Sequence, residues 1–160
     1  MEKDFTIHVC ISKEEFAIAR NITQDYMKWL GMNLDFQNTK KEFQVFEKMY
    51  GKPEGCFIYA RINGAIAGGV AIRKLDVKTC EMKRLFVYGD YQGKGLGELL
   101  CEKIIAIAHE LGYERMRLDT ISKLKSAIGL YEKLGFYKID AYCPNPDPTV
   151  KYMELEISFI

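Results

Sequence analysis

Residues Leu85–Gly97 read LFVYGDYQGKGLG. The segment begins as an apolar strand and continues into a loop with glycines at positions 93, 95 and 97, after which apolar residues recur at helical spacing. Glycine tolerates positive φ and lets a backbone approach a ligand closely, while the first N–H groups of a helix lack intrahelical partners and lie at the positive end of its dipole. This order of strand, loop and helix therefore predicts a site for a phosphate or pyrophosphate.

Two common glycine-rich nucleotide loops do not fit this spacing. A Walker A loop requires G-x-x-x-x-G-K-[ST], and no Ser or Thr follows a lysine in that register here. A Rossmann fingerprint requires G-x-G-x-x-G at the start of a βαβ unit, whereas these glycines alternate and their loop comes late in the series of predicted strands. The pattern that does fit is Q-x-x-G-x-G, from Gln92 to Gly97.

Strand and helix patterns alternate as expected for one mixed α/β domain over residues 1–160. Ser12 and Glu15 form a capping box ahead of a helix that ends at Gly31, and the pair Asn63-Gly64 marks a hairpin. The predicted strands are Thr6–Ile11, Cys56–Ile62, Ala65–Arg73, Thr79–Val87, Arg115–Leu118, Phe136–Ile139 and Lys151–Ile157. Besides the helix after Ser12, the predicted helices are Thr39–Met49, Leu96–Leu111 and Leu124–Leu134.

Composition and charge exclude several classes of protein. An apolar content of 48% and an aromatic content of 12% are typical of an ordered globular domain. With 23 basic and 22 acidic residues the net charge is +1, so no general positive field favours nucleic acid. The N-terminus MEKDFTIHVCI is unlike a signal peptide, and no apolar run reaches the roughly 18 residues of a membrane span. We expect a cytoplasmic protein without a nucleic-acid or membrane partner.

The five cysteines are odd in number and contain no CxxC pair, which is typical of free thiols in a reducing compartment. Only His8 and His109 could serve as histidine ligands or as partners of a reactive cysteine, and neither has the spacing of a metal site. We predict no metal, no disulfide framework and no cysteine nucleophile.

Three motifs in order resemble the GNAT superfamily of N-acetyltransferases and cover about half of the chain. EMKRLFV (Glu81–Val87) resembles the central strand of the family, Gln92–Gly97 its acetyl-CoA pyrophosphate loop, and AIGLYEKLGF (Ala127–Phe136) its later helix and strand. The resemblance implies a single-domain GNAT-like fold, with a central twisted sheet of six or seven strands and about four helices. It also implies an enzyme that moves an acetyl group from acetyl-CoA to a primary amine by direct transfer in a ternary complex.

The resemblance implies where acetyl-CoA binds. The family pairs the strand before the loop with the pantetheine arm and holds the pyrophosphate with the N–H groups of the loop. The corresponding residues here are Leu85, Phe86, Val87, Gln92, Gly93, Lys94, Gly95, Leu96 and Gly97. Many members carry an asparagine at the position of Leu124, so that contact is absent here or comes from another group such as Ser126.

Glu81 and Tyr131 are the predicted catalytic residues. Glu81 shares a strand face with Lys83 and Leu85 and resembles the general base of the family, acting on the substrate ammonium directly or through water. The alternative for Glu81 is a carboxylate at a sheet edge that pairs with a lysine. Tyr131 resembles the general acid that protonates the coenzyme sulfur, and its alternative is a packed core tyrosine.

The sequence does not identify the acceptor amine. A non-catalytic, regulatory acyl-CoA-binding module is the alternative to an enzyme, and the retention of Glu81 and Tyr131 argues against it. The resemblance places the acceptor groove between residues 26–37 and 142–149, which include Trp29, Asp35, Tyr142 and Asp147. Acidic groups favour a cationic amine, but a small molecule, polyamine, antibiotic, amino acid or peptide would fit, and a homodimer is equally open.

Overall fold

One mixed sheet organises the protein, as seen in a computed structural model that describes residues 4–31, 39–121, 124–145 and 147–158. The strands are β1 (Thr6–Val9), β2 (Cys56–Ile62), β3 (Ala65–Lys74), β4 (Thr79–Val87), β5 (Arg115–Thr120), β6 (Tyr137–Ile139) and β7 (Lys151–Glu156). Their order across the sheet is β1-β2-β3-β4-β5-β7-β6, and neighbours are antiparallel except for the parallel pair β4 and β5. The predicted mixed α/β fold class is confirmed.

The helices are α1 (Lys13–Leu30), α2 (Thr39–Gln44), α3 (Phe46–Met49), α4 (Leu96–Glu110) and α5 (Lys125–Lys133), with a 3-10 turn at Gly89–Tyr91. The predicted capping box is present: the Ser12 hydroxyl accepts from the Glu15 N–H at 3.1 Å, and the Glu15 carboxylate accepts from the Ser12 N–H at 3.1 Å. Gly31 ends α1 in the left-handed conformation, with φ 70°. Local capping therefore sets both ends of the first helix.

The side chains of the sheet belong to two hydrophobic cores, one on each face, because successive residues of a strand point to opposite faces. Cys56, Ile58 and Ala60 of β2 pack on one side in a cluster that includes α4 and Tyr131. Phe57 and Tyr59 point the other way into a smaller cluster with α1 and α3. Helices thus cover both faces, and the centre of the sheet is fully enclosed.

The predicted helix Thr39–Met49 is wrong in one respect, because the chain forms two short helices there instead of one. Val45 separates them with φ −118° and ψ 21°, which lies outside the helical region. Val45 is β-branched, so it has little preference for a helix, and it is more than a third exposed, so no packing holds it there. β5 also extends beyond the predicted Leu118 to Thr120, which matters for the site below.

The cysteines Cys10, Cys56, Cys80 and Cys101 are buried free thiols, and Cys143 is a partly exposed one. The described ranges contain no group of three or more His, Cys, Asp or Glu side chains placed to hold a metal ion. Within the same ranges, no helix has both the length and the apolar character that crossing a membrane requires.

Candidate active site

The cleft of the molecule lies where β4 and β5 separate. These parallel strands pair only from Thr79 to Glu81 on β4, opposite Arg115 to Arg117 on β5. Beyond that point β4 continues to Val87 without a strand partner on its β5 side, while β3 still covers its other side. The free edge of β4 therefore offers backbone amide and carbonyl groups to a ligand that can pair like a strand.

One cavity, of about 530 Å³, runs from this edge to the glycine loop and the start of α5; we call it the loop cavity. Nine of the ten predicted cosubstrate contacts line it: Leu85, Phe86, Val87, Gln92, Gly93, Gly95, Leu96, Gly97 and Ser126. The tenth, Lys94, is exposed and lies outside the lining. The fold thus brings together residues from a strand, a loop and two helices.

The glycine loop presents a row of backbone donors to the loop cavity. Gly93 and Gly95 have φ of 76° and 82°, the left-handed region in which other residues are strained. The first backbone hydrogen bond of α4 runs from the Leu99 N–H to the Gly95 carbonyl at 3.1 Å. In the described ranges, the N–H groups from Gly93 to Glu98 accordingly have no protein partner. The Gln92 side chain donates to the Val87 carbonyl at 2.9 Å and ties the loop to the end of β4.

A second cavity, of about 440 Å³, lies on the β5 side of the cleft and is called the strand cavity. Its polar lining residues are Tyr26, Lys83, Arg84, Asp119, Thr120, Tyr131, Asn145 and Asp147. Tyr26, Leu85, Leu124 and Tyr131 line both cavities. The two cavities therefore meet at these four side chains.

A β-bulge shapes β4 at this junction. Gly69 pairs with Phe86 and Ala71 with Lys83, so β4 has one residue more than β3 in this interval. Arg84 occupies the bulge with φ 63° and is 8% exposed, and its guanidinium forms an ion pair with the Glu42 carboxylate of α2. The buried pair holds the bulge, and an extra residue in a bulge leaves its backbone groups unpaired beside the cleft.

Tyr131 projects from α5 into the junction of the two cavities. It is 7% exposed and its ring packs on Phe136 at 5.7 Å between centroids. Among the described residues, none forms a hydrogen bond with its hydroxyl. Burial raises the pKa of Tyr131 well above its ordinary value, so the hydroxyl keeps its proton at neutral pH.

Glu81 is 2% exposed and is absent from the lining of both cavities. Its carboxylate accepts from Arg73 at 2.8 Å and from the Tyr142 hydroxyl at 2.6 Å, and lies 3.6 Å from the Lys83 ammonium. Burial alone would raise the pKa of Glu81, but Lys83, Arg73 and Tyr142 together lower it below the ordinary value of 4.5. β4 is an inner strand, so Glu81 lies at the centre of the sheet and not at its edge.

Comparison with known proteins assigns the family. Residues 20–136 match the profile described as the Acetyltransferase (GNAT) family, which is more than half of the chain. The chain belongs to the GNAT family of acetyltransferases. The predicted family and the predicted enzyme class, an acyltransferase, are thereby confirmed.

Relatives of this GNAT acetyltransferase include proteins of similar length. An uncharacterised N-acetyltransferase of Schizosaccharomyces pombe is 40% identical over 139 residues, which cover 86% of this chain and 85% of the relative. YjgM, an uncharacterised N-acetyltransferase of Escherichia coli, is 33% identical, with 78% and 77% covered. The acetyltransferase YncA of Salmonella typhimurium, solved with acetyl-CoA, is 20% identical with a TM-score of 0.71, and 96% and 94% are covered. This last likeness shows the fold.

The predicted acceptor residues of this acetyltransferase fall in different places. Trp29 lines the loop cavity, Asp147 lines the strand cavity, and Tyr142 covers Glu81 instead of lining either one. Tyr142 also lies against Arg117, whose guanidinium is 5.4 Å from the ring centroid. Asp35, with residues 32–38, lies outside the described residues.

Sequence reasoning missed Asp119 and Thr120 in the strand cavity of the acetyltransferase. The predicted β5 ended at Leu118, one residue short of Asp119. A signal was present, because Arg115, Arg117 and Asp119 alternate with buried Met116, Leu118 and Thr120 at a period of two. That alternation would have extended the strand and placed Asp119 on its polar face.

Proposed function

We propose that this GNAT acetyltransferase moves the acetyl group of acetyl-CoA to a primary amine by direct transfer, with both substrates bound at once. The observation that carries the proposal is the pair of cavities that meet at Tyr131, one along the free edge of β4 and one on the β5 side. Two substrates that enter from opposite sides would bring their reacting groups together at this point.

The residues of the loop cavity fit acetyl-CoA. A pyrophosphate requires several convergent donors, and the N–H groups from Gly93 to Glu98, which have no partner among the described residues, supply them at the N-terminus of a helix 15 residues long. The pantetheine arm carries amides, and the free edge of β4 at Leu85–Val87 supplies complementary backbone groups. Leu124 lines both cavities at the position where many family members have asparagine, and Ser126 lies beside it in the lining.

Acetyl-CoA supplies a reactive thioester when it is bound. In the proposal, the edge of β4 orients the arm and the bulge at Arg84 offers unpaired backbone groups near the thioester carbonyl. Tyr131, whose hydroxyl is protonated at neutral pH, donates a proton to the departing thiolate. The apolar walls of the junction, which include Leu85 and Leu124, exclude water from the reacting groups.

The state of the thiols supports direct transfer over an acyl-cysteine route. Burial raises the pKa of Cys10, Cys80 and Cys101 to about 12 and that of Cys56 to about 11. Burial also raises the pKa of Cys143. A thiol that stays protonated at neutral pH is a poor nucleophile.

In the proposal, Glu81 is the base that accepts a proton from the acceptor ammonium through water. Its burial and its three partners separate it from the cavity lining, so we propose no direct contact with the acceptor. Lys83 contacts Glu81 and lines the strand cavity, so the carboxylate lies one side chain away from the acceptor.

The test is release of coenzyme A thiol from acetyl-CoA with a panel of primary amines, with the acetylated amine identified by mass spectrometry. We expect thiol release that depends on both substrates and saturates with each. In a dead-end inhibition experiment, an unreactive amine analogue should bind to the enzyme while the bound acetyl-CoA still carries its acetyl group. Binding of coenzyme A without turnover of any amine would favour a regulatory acyl-CoA-binding module.

A further inference from the structure

The strand cavity contains one carboxylate that has no partner among the side chains of the described residues. Its charged lining residues are Lys83, Arg84, Asp119 and Asp147. In the described part of the chain, the Asp119 side chain alone among these four forms neither an ion pair nor a hydrogen bond. A carboxylate that lines a cavity without a partner retains its full capacity to accept hydrogen bonds from a ligand.

The other three charges are already engaged. The Arg84 guanidinium pairs with Glu42, and the Lys83 ammonium lies 3.6 Å from the Glu81 carboxylate. The Asp147 carboxylate accepts from the N–H of Thr149 at 2.7 Å and from its hydroxyl at 2.6 Å. Each of these three groups therefore has a protein partner, whereas the Asp119 carboxylate has none among the described residues.

Asp119 also lies close to the point of reaction. It shares the strand cavity with Tyr131 and Tyr26, both of which stand at the junction with the loop cavity. After burial, which is the main cause, the negative charge of Asp119 is among the contributions that raise the pKa of Tyr131 and Tyr26. Its neighbour Thr120 has a buried hydroxyl without a partner in the described ranges and lines the same cavity.

We propose that Asp119 binds the ammonium group of the acceptor and restricts the acceptor to aliphatic primary amines that are cationic at neutral pH. The proposal rests on the proposed function, since it takes the strand cavity as the acceptor side of the transfer. A hydrogen bond to a charged group is stronger than one between neutral groups, so a positively charged amine gains more here than a neutral isostere. Aryl amines and alcohols of the same shape bind less tightly.

Two derivatives of coenzyme A test this without knowledge of the natural acceptor. S-(2-aminoethyl)-coenzyme A places an ammonium near the acceptor nitrogen, and S-(2-hydroxyethyl)-coenzyme A places a neutral hydroxyl at the same point. Calorimetric titration should show that the wild type binds the ammonium derivative about tenfold more tightly than the hydroxyl derivative. Asp119→Asn should remove this preference, while Asp147→Asn, which alters a carboxylate of the same cavity, should retain it.

Coenzyme A itself serves as the control for folding and for the loop cavity, and it should bind equally to all three proteins. Persistence of the preference in Asp119→Asn, or its absence in the wild type, would overturn the proposal. Equal loss in both variants would also overturn it, because a diffuse field would then explain the effect. Failure of the wild type to bind coenzyme A would instead overturn the proposed function, and the ammonium site with it.

Discussion

The hydroxyl of Tyr131 is the group on which the proposed proton donation depends. Tyr131→Phe keeps the ring against Phe136 and removes only the oxygen. We expect kcat to fall about 100-fold, the lower range for loss of a general acid, with little change in the KM for acetyl-CoA. Steady-state thiol release measures both constants.

A second buried tyrosine provides the control for this substitution. Tyr113 is 6% exposed, belongs to the same core cluster and donates to the Glu54 carbonyl, but it lines neither cavity. Tyr113→Phe should lower the free energy of unfolding by about 1 kcal/mol and leave kcat unchanged. An unchanged kcat in Tyr131→Phe would show that Tyr131 is a packed core residue.

Glu81 combines a structural ion pair with a predicted catalytic role, and the two can be separated. Glu81→Gln leaves Arg73 and Lys83 without their anion, so we expect the free energy of unfolding to fall by about 3 kcal/mol. Because the pKa of Glu81 is lowered below 4.5, a base at this position loses activity only below that pH. The pH profile of kcat should show this acid limb in the wild type. Full turnover in a folded Glu81→Gln protein would contradict the role as base.

At the scale of elements, Gly68 permits the close pairing of β3 with β4 that leads into the bulge. A Cβ at Gly68 would lie 2.5 Å from the Phe86 carbonyl oxygen, closer than such atoms approach. Gly68→Ala must therefore displace β4 at the edge that binds the arm. We expect a loss of about 2 kcal/mol in the free energy of unfolding and weaker binding of coenzyme A.

Gly129 is the matched comparison for Gly68. It lies exposed in α5 with no atom within 4 Å of an added Cβ, and its φ is outside the left-handed region. Gly129→Ala should stabilise the protein by up to about 1 kcal/mol through helix propensity and leave coenzyme A binding unchanged. Urea denaturation and calorimetry measure the two quantities, and equal effects of both substitutions would contradict the argument.

Part of the secondary structure can be predicted from local sequence patterns. The bounds of β2 and β4 follow from their runs of β-forming residues and their flanking turns, and the capping box of α1 is local chemistry that its own residues specify. The free edge of β4 follows from no local pattern, because it depends on where β5 stops pairing after Arg117, and only the family resemblance implied it. The pairing of Arg84 with Glu42, 42 positions away, likewise depends on tertiary contacts.

Across the whole molecule, one part of the candidate site follows from local sequence and another part depends on the tertiary fold. The residues of the motif around Gly93 and Gly95 are neighbours in sequence and line one part of the loop cavity. The strand cavity joins Tyr26 of α1 to Asp119 of β5 and Asp147 beyond β6, which no spacing relates. The ion pairs across the sheet could not be predicted from local sequence either, since only the order of the strands brings Arg117 next to Glu154.

These ion pairs predict how the stability of the molecule depends on pH. Glu42, Glu81 and Glu154 are each no more than 9% exposed, and they join α2 to β4, β3 to β4 and β5 to β7. Burial alone would raise their pKa values, but their arginine partners, with Lys83 and the tyrosine hydroxyls, lower them below 4.5. Each carboxylate then binds protons more weakly in the folded than in the unfolded chain, where the glutamate pKa is about 4.3.

The free energy of unfolding should therefore be constant from pH 7 to about pH 5.5 and fall as the pH decreases through the folded pKa values, because the unfolded chain takes up more protons. Urea denaturation at a series of pH values measures this slope. Glu42→Gln should be less stable at pH 7 by about 3 kcal/mol, since it leaves Arg84 buried without its partner, and its acid slope should be shallower than that of the wild type. A variant with an undiminished slope would show that Glu42 does not contribute to the linkage, and a wild type that gains stability toward pH 4 would contradict the assignment for all three carboxylates.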